Sequence, residues 1–168
     1  MGEKQKYIVK KISYEGYFNY RELFRILDFW QRDKFYDKRE HRSEEMVTDK
    51  GKNIDLEFLP WKKYTDYFKG VFKIVITVQH MKEVEIMVRG EKRKMNHGSI
   101  DIQITGYLIV DYEGYWDRHP LLTFIRDIFD RYFNWYITKK YINMLTDHAN
   151  DLYFSLSSYL NASQYKVE

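Results

Sequence analysis

The chain contains no cysteine, which excludes a disulfide framework and a zinc site built on thiolates. No apolar run approaches the roughly 18 residues that a membrane-spanning helix needs, and the N-terminus lacks the hydrophobic stretch of a signal peptide. Gly2 follows Met1, but position 6 is Lys6 rather than Ser or Thr, so the N-myristoylation pattern fails. From these absences we expect a cytoplasmic protein with no membrane span.

An excess of one charge is also missing. The 28 Lys and Arg residues nearly balance the 25 Asp and Glu residues, and the net charge of +3 is small for a dedicated nucleic-acid binder. Aromatic residues, by contrast, make up 18% of the 168 residues. Their large rings belong in a core, at an interface or around a cavity. Length and a 44% apolar content predict one globular domain over residues 1–168.

The first third of the chain predicts a strand followed by a helix. Residues 6–14 alternate imperfectly between apolar and polar side chains, and we expect Gly16 to end that strand. Residues 19–34 place apolar side chains at helical spacing. Asn19, with Glu22 three residues later, predicts an N-cap and a variant of the capping box.

Alternating apolar residues then predict a series of antiparallel strands with short links. We expect a short strand near residues 45–48 and another that Pro60 ends. Two further strands, 67–79 and 83–95, are predicted to fold back on each other across a polar turn, and residues 96–98 to form the next turn. Gly106 predicts a bulge or bend in the last strand.

The last third of the chain has helical periodicity. Apolar residues recur every three or four positions from Leu121 to Tyr159, and Pro120 suits the first turn of a helix. About 40 helical residues would reach roughly 60 Å, whereas a six-stranded sheet is only about 25–30 Å across. We therefore expect the helix to break at 146–151. An unbroken helix would need a partner to cover its overhang.

Together these elements predict an α+β fold. A curved antiparallel sheet of five or six strands would carry one N-terminal helix, with a long C-terminal helix packed on its concave face. This order of elements resembles the helix-grip architecture of the START and Bet v 1-like families over nearly the whole chain. The Gly-rich turn of Bet v 1 does not appear, because Gly70, Gly90, Gly98 and Gly106 stand singly. The resemblance implies a cavity for a hydrophobic ligand between sheet and helix.

Three binding functions follow as hypotheses. In the first, a non-enzymatic interaction or assembly subunit binds another chain, or a second copy, through the C-terminal helix residues Leu145, Leu152, Leu156 and Tyr159. In the second, a small hydrophobic molecule lies between sheet and helix against Tyr132, Trp135 and Tyr136. In the third, a basic hairpin tip at 89–97 binds RNA or phosphate weakly through Arg89, Lys92, Arg93 and Lys94.

Catalysis has no support in the sequence. No nucleophile elbow, P-loop or dinucleotide-binding fingerprint is present. The five histidines lack the spacing of a helical zinc site, and we expect them on the surface or in turns; they are His41, His80, His97, His119 and His148. We therefore expect no metal and no cofactor, and we favour a binding protein over an enzyme.

Overall fold

The computed structural model describes residues 3–37, 40–88, 90–110 and 134–164. Over these residues the chain is an α+β protein, which confirms the predicted fold class. Its elements are β1 (Glu3–Phe18), α1 (Tyr20–Asp33), β2 (Glu40–Thr48), β3 (Gly51–Phe58), β4 (Trp61–Lys63), β5 (Phe68–Val88), β6 (Glu91–Val110) and α2 (Asn134–Gln164). The six strands form one open antiparallel sheet in the order β1-β6-β5-β3-β2, with β4 paired to the start of β5.

One face of this sheet, here called the inner face, carries the core. In β5 the even-numbered residues from Phe72 to Val78 are buried, and they pair with even-numbered residues of β6 such as Ile102 and Ile104. Successive side chains of a strand point to opposite faces, so this alternation assigns one whole face of both strands to the interior. The odd-numbered neighbours point to the outer face, where Asp101 and Gln103 are exposed.

Helix α1 begins where the sequence predicts it. The side-chain oxygen of Asn19 accepts hydrogen bonds from the backbone N–H groups of Arg21 and Glu22, at 3.0 and 3.4 Å. The predicted return contact from Glu22 is not formed, because its carboxylate pairs with Arg25 at 2.8 Å. The N–H of Asn19 instead donates to the hydroxyl of Tyr159 in α2 at 2.8 Å. The start of α1 is therefore completed by the far end of the chain.

Helix α2 packs on the inner face through one apolar stripe. Its buried residues are Leu145, Ala149, Leu152, Leu156 and Leu160. The predicted break at 146–151 is wrong: α2 is continuous from Asn134 to Gln164. Polar residues there, such as Asp147 and Asp151, lie on the exposed side of the helix, while the buried stripe passes through without interruption. The part of the predicted helix before residue 134 lies outside the described residues.

Strand β5 departs from the predicted pair of strands. The expected turns at 79–83 and 96–98 are wrong, because β5 and β6 each run through those positions and meet at Gly90. A β-bulge takes the place of the first turn: His80 and Met81 together face a single residue of β6, and His80 has a left-handed φ of 54°. Because the bulge adds one residue to β5, the side chains beyond it alternate in the opposite sense. Those of Val84 and Ile86 therefore point to the outer face, whereas that of Ile76 points to the inner face.

Strand β1 also runs further than predicted, through Gly16 to Phe18. The bulge expected at Gly106 in β6 lies instead in the neighbouring strand β1, between Lys6 and Ile8, and Ile8 is the residue paired with Gly106. A Cβ atom added at Gly106 would lie 2.7 Å from Cγ2 of Ile8 and 3.2 Å from Cδ2 of Leu145. Sheet and α2 are therefore in close contact here.

Neither described helix has the length and hydropathy that crossing a bilayer requires.

Candidate functional site

Helices α1 and α2 lie side by side on the sheet and leave a groove between them. At its floor the indole Nε1 of Trp30 donates to the backbone oxygen of His148 at 3.0 Å, which joins the two helices. The groove has a volume of about 630 Å³. Its walls include Ile26 and Phe29 of α1 and Phe154 of α2.

The two phenylalanines of this groove are unusually open to solvent. The exposed fraction is 70% for Phe29 and 63% for Phe154. Each lies off the buried stripe of its helix, since Leu27 and Trp30 are the core positions near Phe29, and Leu152 and Leu156 those near Phe154. Single exposed apolar residues are ordinary, but two large rings line one concave surface here, which makes the groove the candidate site.

A salt-bridge network forms the rim at one end of the groove. The Nζ atom of Lys34, the residue that ends α1, lies 2.9 Å from Asp151 in α2 and 3.2 Å from its neighbour Asp33. The hydrogen bond to Asp151 is the largest of the interactions that raise the pKa of Lys34. The rim therefore carries both signs of charge and fixes the end of α1 against α2.

Phe35 follows directly and adopts a backbone conformation that favours glycine. Its φ is +57°, a left-handed value that is costly for a bulky residue. It ends α1 with two hydrogen bonds, from the N–H of Phe35 to Arg32 and from the N–H of Tyr36 to Gln31, the pattern that usually places glycine here. The ring is 79% exposed, so burial in the core does not offset the strain.

Behind the groove lies a buried polar cluster. The hydroxyl of Tyr36 lies 2.8 Å from the hydroxyl of Tyr64 and 3.0 Å from Nδ1 of His148. The Tyr36 ring also stacks on Trp30, with 5.1 Å between centroids. Burial raises the pKa of Tyr36 and of Tyr64, so both remain protonated and able to donate.

Two lysines control the charge of this cluster. The Nζ atom of Lys62 donates to the backbone oxygen of Lys34 at 2.7 Å. Burial, and then the charge of Lys34, lowers the pKa of Lys62. The pKa of His148 is lowered by burial first, and then by Lys62 and Lys34. At neutral pH His148 is therefore uncharged, which allows its Nδ1 to accept from Tyr36.

A second cleft of about 610 Å³ lies on the other side of His148, along α2. Its lining includes Tyr136, Lys140, Asn143 and Met144. Tyr136, one of the predicted ligand-binding residues, belongs to α2. Its side chain is 78% exposed and so does not lie between α2 and the sheet. Tyr132 lies outside the described residues, and for Trp135 only the helical backbone is described.

The predicted partner-binding residues have roles within the fold. Leu145, Leu152 and Leu156 are buried against the sheet. Tyr159 is half-buried, and its hydroxyl accepts from the N–H of Asn19 and donates to the backbone oxygen of the same residue. A partner of α2 must therefore contact other side chains, such as Phe154.

The predicted basic tip is divided between two faces of the hairpin. Lys92 and Lys94 pair across the ladder with Met87 and Glu85 on the inner face, while Arg93 lies on the outer face. Arg93 forms an ion pair with Glu91 at 3.2 Å. Arg89 lies outside the described residues. The basic residues thus do not share one surface.

Sequence reasoning overlooked the residues that build this site. Phe29 and Phe154 stand off the helical stripes, and that offset alone would have marked them as exposed aromatics. His148 was expected on the surface, although it directly precedes the buried Ala149 on α2. Nothing local in the sequence shows that Tyr36 and Tyr64 converge on it.

The described part of the chain contains no group of three or more His, Asp or Glu side chains arranged to hold a metal ion. No protein-family model matches the sequence, and no curated protein matches it.

Proposed function

We propose that this protein is a non-enzymatic interaction subunit that binds an amphipathic helix of another chain in the groove between α1 and α2. The observation that supports the proposal is the pair of exposed rings, Phe29 and Phe154, which line this groove from opposite helices.

A helix is the occupant that suits this shape. Two packed helices present parallel ridges, and a third helix places its own side chains between them. Helix-in-groove partners supply apolar anchors at positions such as i, i+4 and i+7. The rim, with Lys34 and Asp151 already paired, leaves apolar contact as the main source of affinity.

The two phenylalanines provide a useful share of such an affinity. Full burial of a phenylalanine side chain contributes about 1.5–3 kcal/mol. Roughly two-thirds of each ring surface remains to be covered, so each would add about 1–2 kcal/mol. A micromolar complex requires about 8 kcal/mol, and removing both rings, a loss of about 2–4 kcal/mol, should weaken binding about 30-fold or more.

The test uses a photo-crosslinking amino acid placed at position 154 in the source cell. The control places it at Met46, which is also exposed but lies on β2, away from both helices. The partner captured at 154 is then purified and titrated calorimetrically against Phe29→Asp, Phe154→Asp and Met46→Asp. We expect each of the first two variants to lose about fivefold or more in affinity and the third to match the wild type. Equal affinity of all variants would refute the proposal.

A second candidate function is the binding of a small molecule in the cleft beside α2. The supporting observation is that Tyr136 lines a cleft whose volume of about 610 Å³ suits a small ligand. Lys139 and Lys140 line the same cleft, which favours a ligand with an apolar body and a negative group. Native mass spectrometry of the purified chain tests it: a bound small molecule, lost in Tyr136→Ala, is expected, and bare chain alone would argue against it.

A further inference from the structure

The end of the β5–β6 hairpin projects beyond the rest of the sheet. Strand β1 last pairs with β6 at Asn96, and β3 last pairs with β5 at Met81. Beyond these points Lys82–Val88 and Glu91–Met95, here called the arm, pair only with each other among the described residues. At about 3.4 Å per residue the arm extends roughly 20 Å. A two-stranded ribbon of this kind is only marginally stable by itself in water.

The two edges of the arm differ in how they resist pairing. The β6 edge carries Lys92, Arg93 and Lys94 in succession, and charged residues of this kind block the approach of another strand. The β5 edge carries Val84 and Ile86 on the outer face and the half-exposed Met87 on the inner face. Aliphatic and β-branched residues like these favour strand pairing. Among the described residues, the β5 edge thus alternates the charged Lys82, Glu83 and Glu85 with apolar side chains, whereas the β6 edge presents three successive basic residues.

We propose that two copies of this chain associate by antiparallel pairing of the β5 edges of their arms, about a two-fold axis at Ile86. In this register Ile86 lies opposite the partner's Ile86, and Glu85 lies opposite the partner's Met87. Centring the axis on Glu85 would place two carboxylates directly opposite each other, which is unfavourable. Pairing of the β6 edges about Arg93 would place Lys92 opposite the partner's Lys94. The charge pattern therefore disfavours pairing of the β6 edges and a register centred on Glu85, and the register about Ile86 avoids both clashes.

The resulting assembly closes at two copies. Antiparallel arms place the two sheets at opposite ends of a four-stranded ribbon. Both outer edges of that ribbon are then the lysine-bearing β6 edges, which prevent further addition. A two-fold contact through one patch is the commonest form of homo-oligomer. The contact is small, below the roughly 1,200 Å² of a stable interface, so we expect a dissociation constant in the micromolar range.

The absence of cysteine makes a direct test possible. In Ile86→Cys the new thiols of two copies lie directly opposite each other, within the roughly 4.4–6.8 Å between Cα atoms that a disulfide requires. The matched control is Arg93→Cys, which lies opposite Ile86 on the other edge of the arm. Under mild oxidation at about 100 μM we expect most of Ile86→Cys, and little of Arg93→Cys, to form a covalent dimer.

Sedimentation velocity provides the second readout. The wild-type chain should change from monomer to dimer as its concentration rises, and Ile86→Lys should weaken dimerisation at least tenfold. Circular dichroism of each variant, with the cysteine variants kept reduced, checks that it has the secondary structure of the wild type. A wild-type chain that stays monomeric up to millimolar concentration, or an Arg93→Cys variant that crosslinks as fast as Ile86→Cys, would overturn the proposal. The groove between α1 and α2 is not part of this contact. A failure of the dimer proposal would therefore not refute the proposed function.

Discussion

Replacing Gly106 by alanine should lower the free energy of unfolding by about 1–2 kcal/mol. The added methyl would lie 2.7 Å from Cγ2 of Ile8, 3.1 Å from the Phe72 ring and 3.2 Å from Leu145. The backbone at Gly106 is not left-handed, so alanine adopts it without strain. The cost in the folded state therefore reports how tightly the side chains of β1, β5 and α2 pack over Gly106.

The magnitude is the difference between two opposing contributions. Forcing an extra methyl group into a filled core costs about 1–3 kcal/mol. Alanine also restricts the unfolded chain, which returns about 0.4–1 kcal/mol to the folded state. For a chain of this length we expect the midpoint of thermal unfolding to fall by about 3–6 °C.

Urea unfolding of the wild type, Gly106→Ala, Ile8→Ala and the double variant isolates the contact between positions 8 and 106. Ile8→Ala removes the nearest atom, so the double variant should lose at least about 1 kcal/mol less than the sum of the two single variants. A Gly106→Ala chain as stable as the wild type would refute the reasoning, because it would mean that a space between sheet and helix accepts the methyl. That space is the ligand cavity that the helix-grip resemblance implies.

Three further outcomes follow from the structure. Phe35→Gly should be about 1 kcal/mol more stable than Phe35→Ala in urea unfolding, because only glycine relieves the left-handed backbone; equal stability would contradict this. Tyr159→Phe leaves the N–H of Asn19 without its partner and should cost about 1–3 kcal/mol, and a neutral result would show that water replaces the hydroxyl. The lowered pKa of His148 means that the unfolded chain takes up a proton first as the pH falls below about 6.5. Urea midpoints should therefore decline below that pH, and His148→Gln should reduce the decline; an identical pH profile for both chains would exclude this role.

Much of the fold could be predicted because its signals are local. The cap at Asn19 and the stripe that begins at Leu23 define α1 within a single stretch of sequence. The alternation before Pro60 defines β3 in the same way. Where an element is specified by its own residues, the sequence and the structure agree.

The wrong predictions concern segments whose structure is determined by contacts with residues distant in the sequence. The stretch from Gln79 to Glu83 has the composition of a turn, and only its pairing with the β6 residues around Gly98 makes it a bulge. The polar residues around Asp147 resemble a helix break until the buried stripe is considered as a whole. The groove and the polar cluster depend on contacts such as Tyr36 with His148, which are 112 residues apart in the sequence. No local pattern encodes such contacts.

The placement of β1 has a consequence for how the protein is made. Among the described strands β1 pairs with β6 alone, and α1 and four other strands are synthesised between them. The leucines of α2 that cover the sheet follow later still. A nascent chain thus leaves the ribosome with its apolar face uncovered, and the slow closure of such long-range contacts prolongs that exposure. Production of this protein should therefore depend on chaperones that shield an incomplete sheet until synthesis ends.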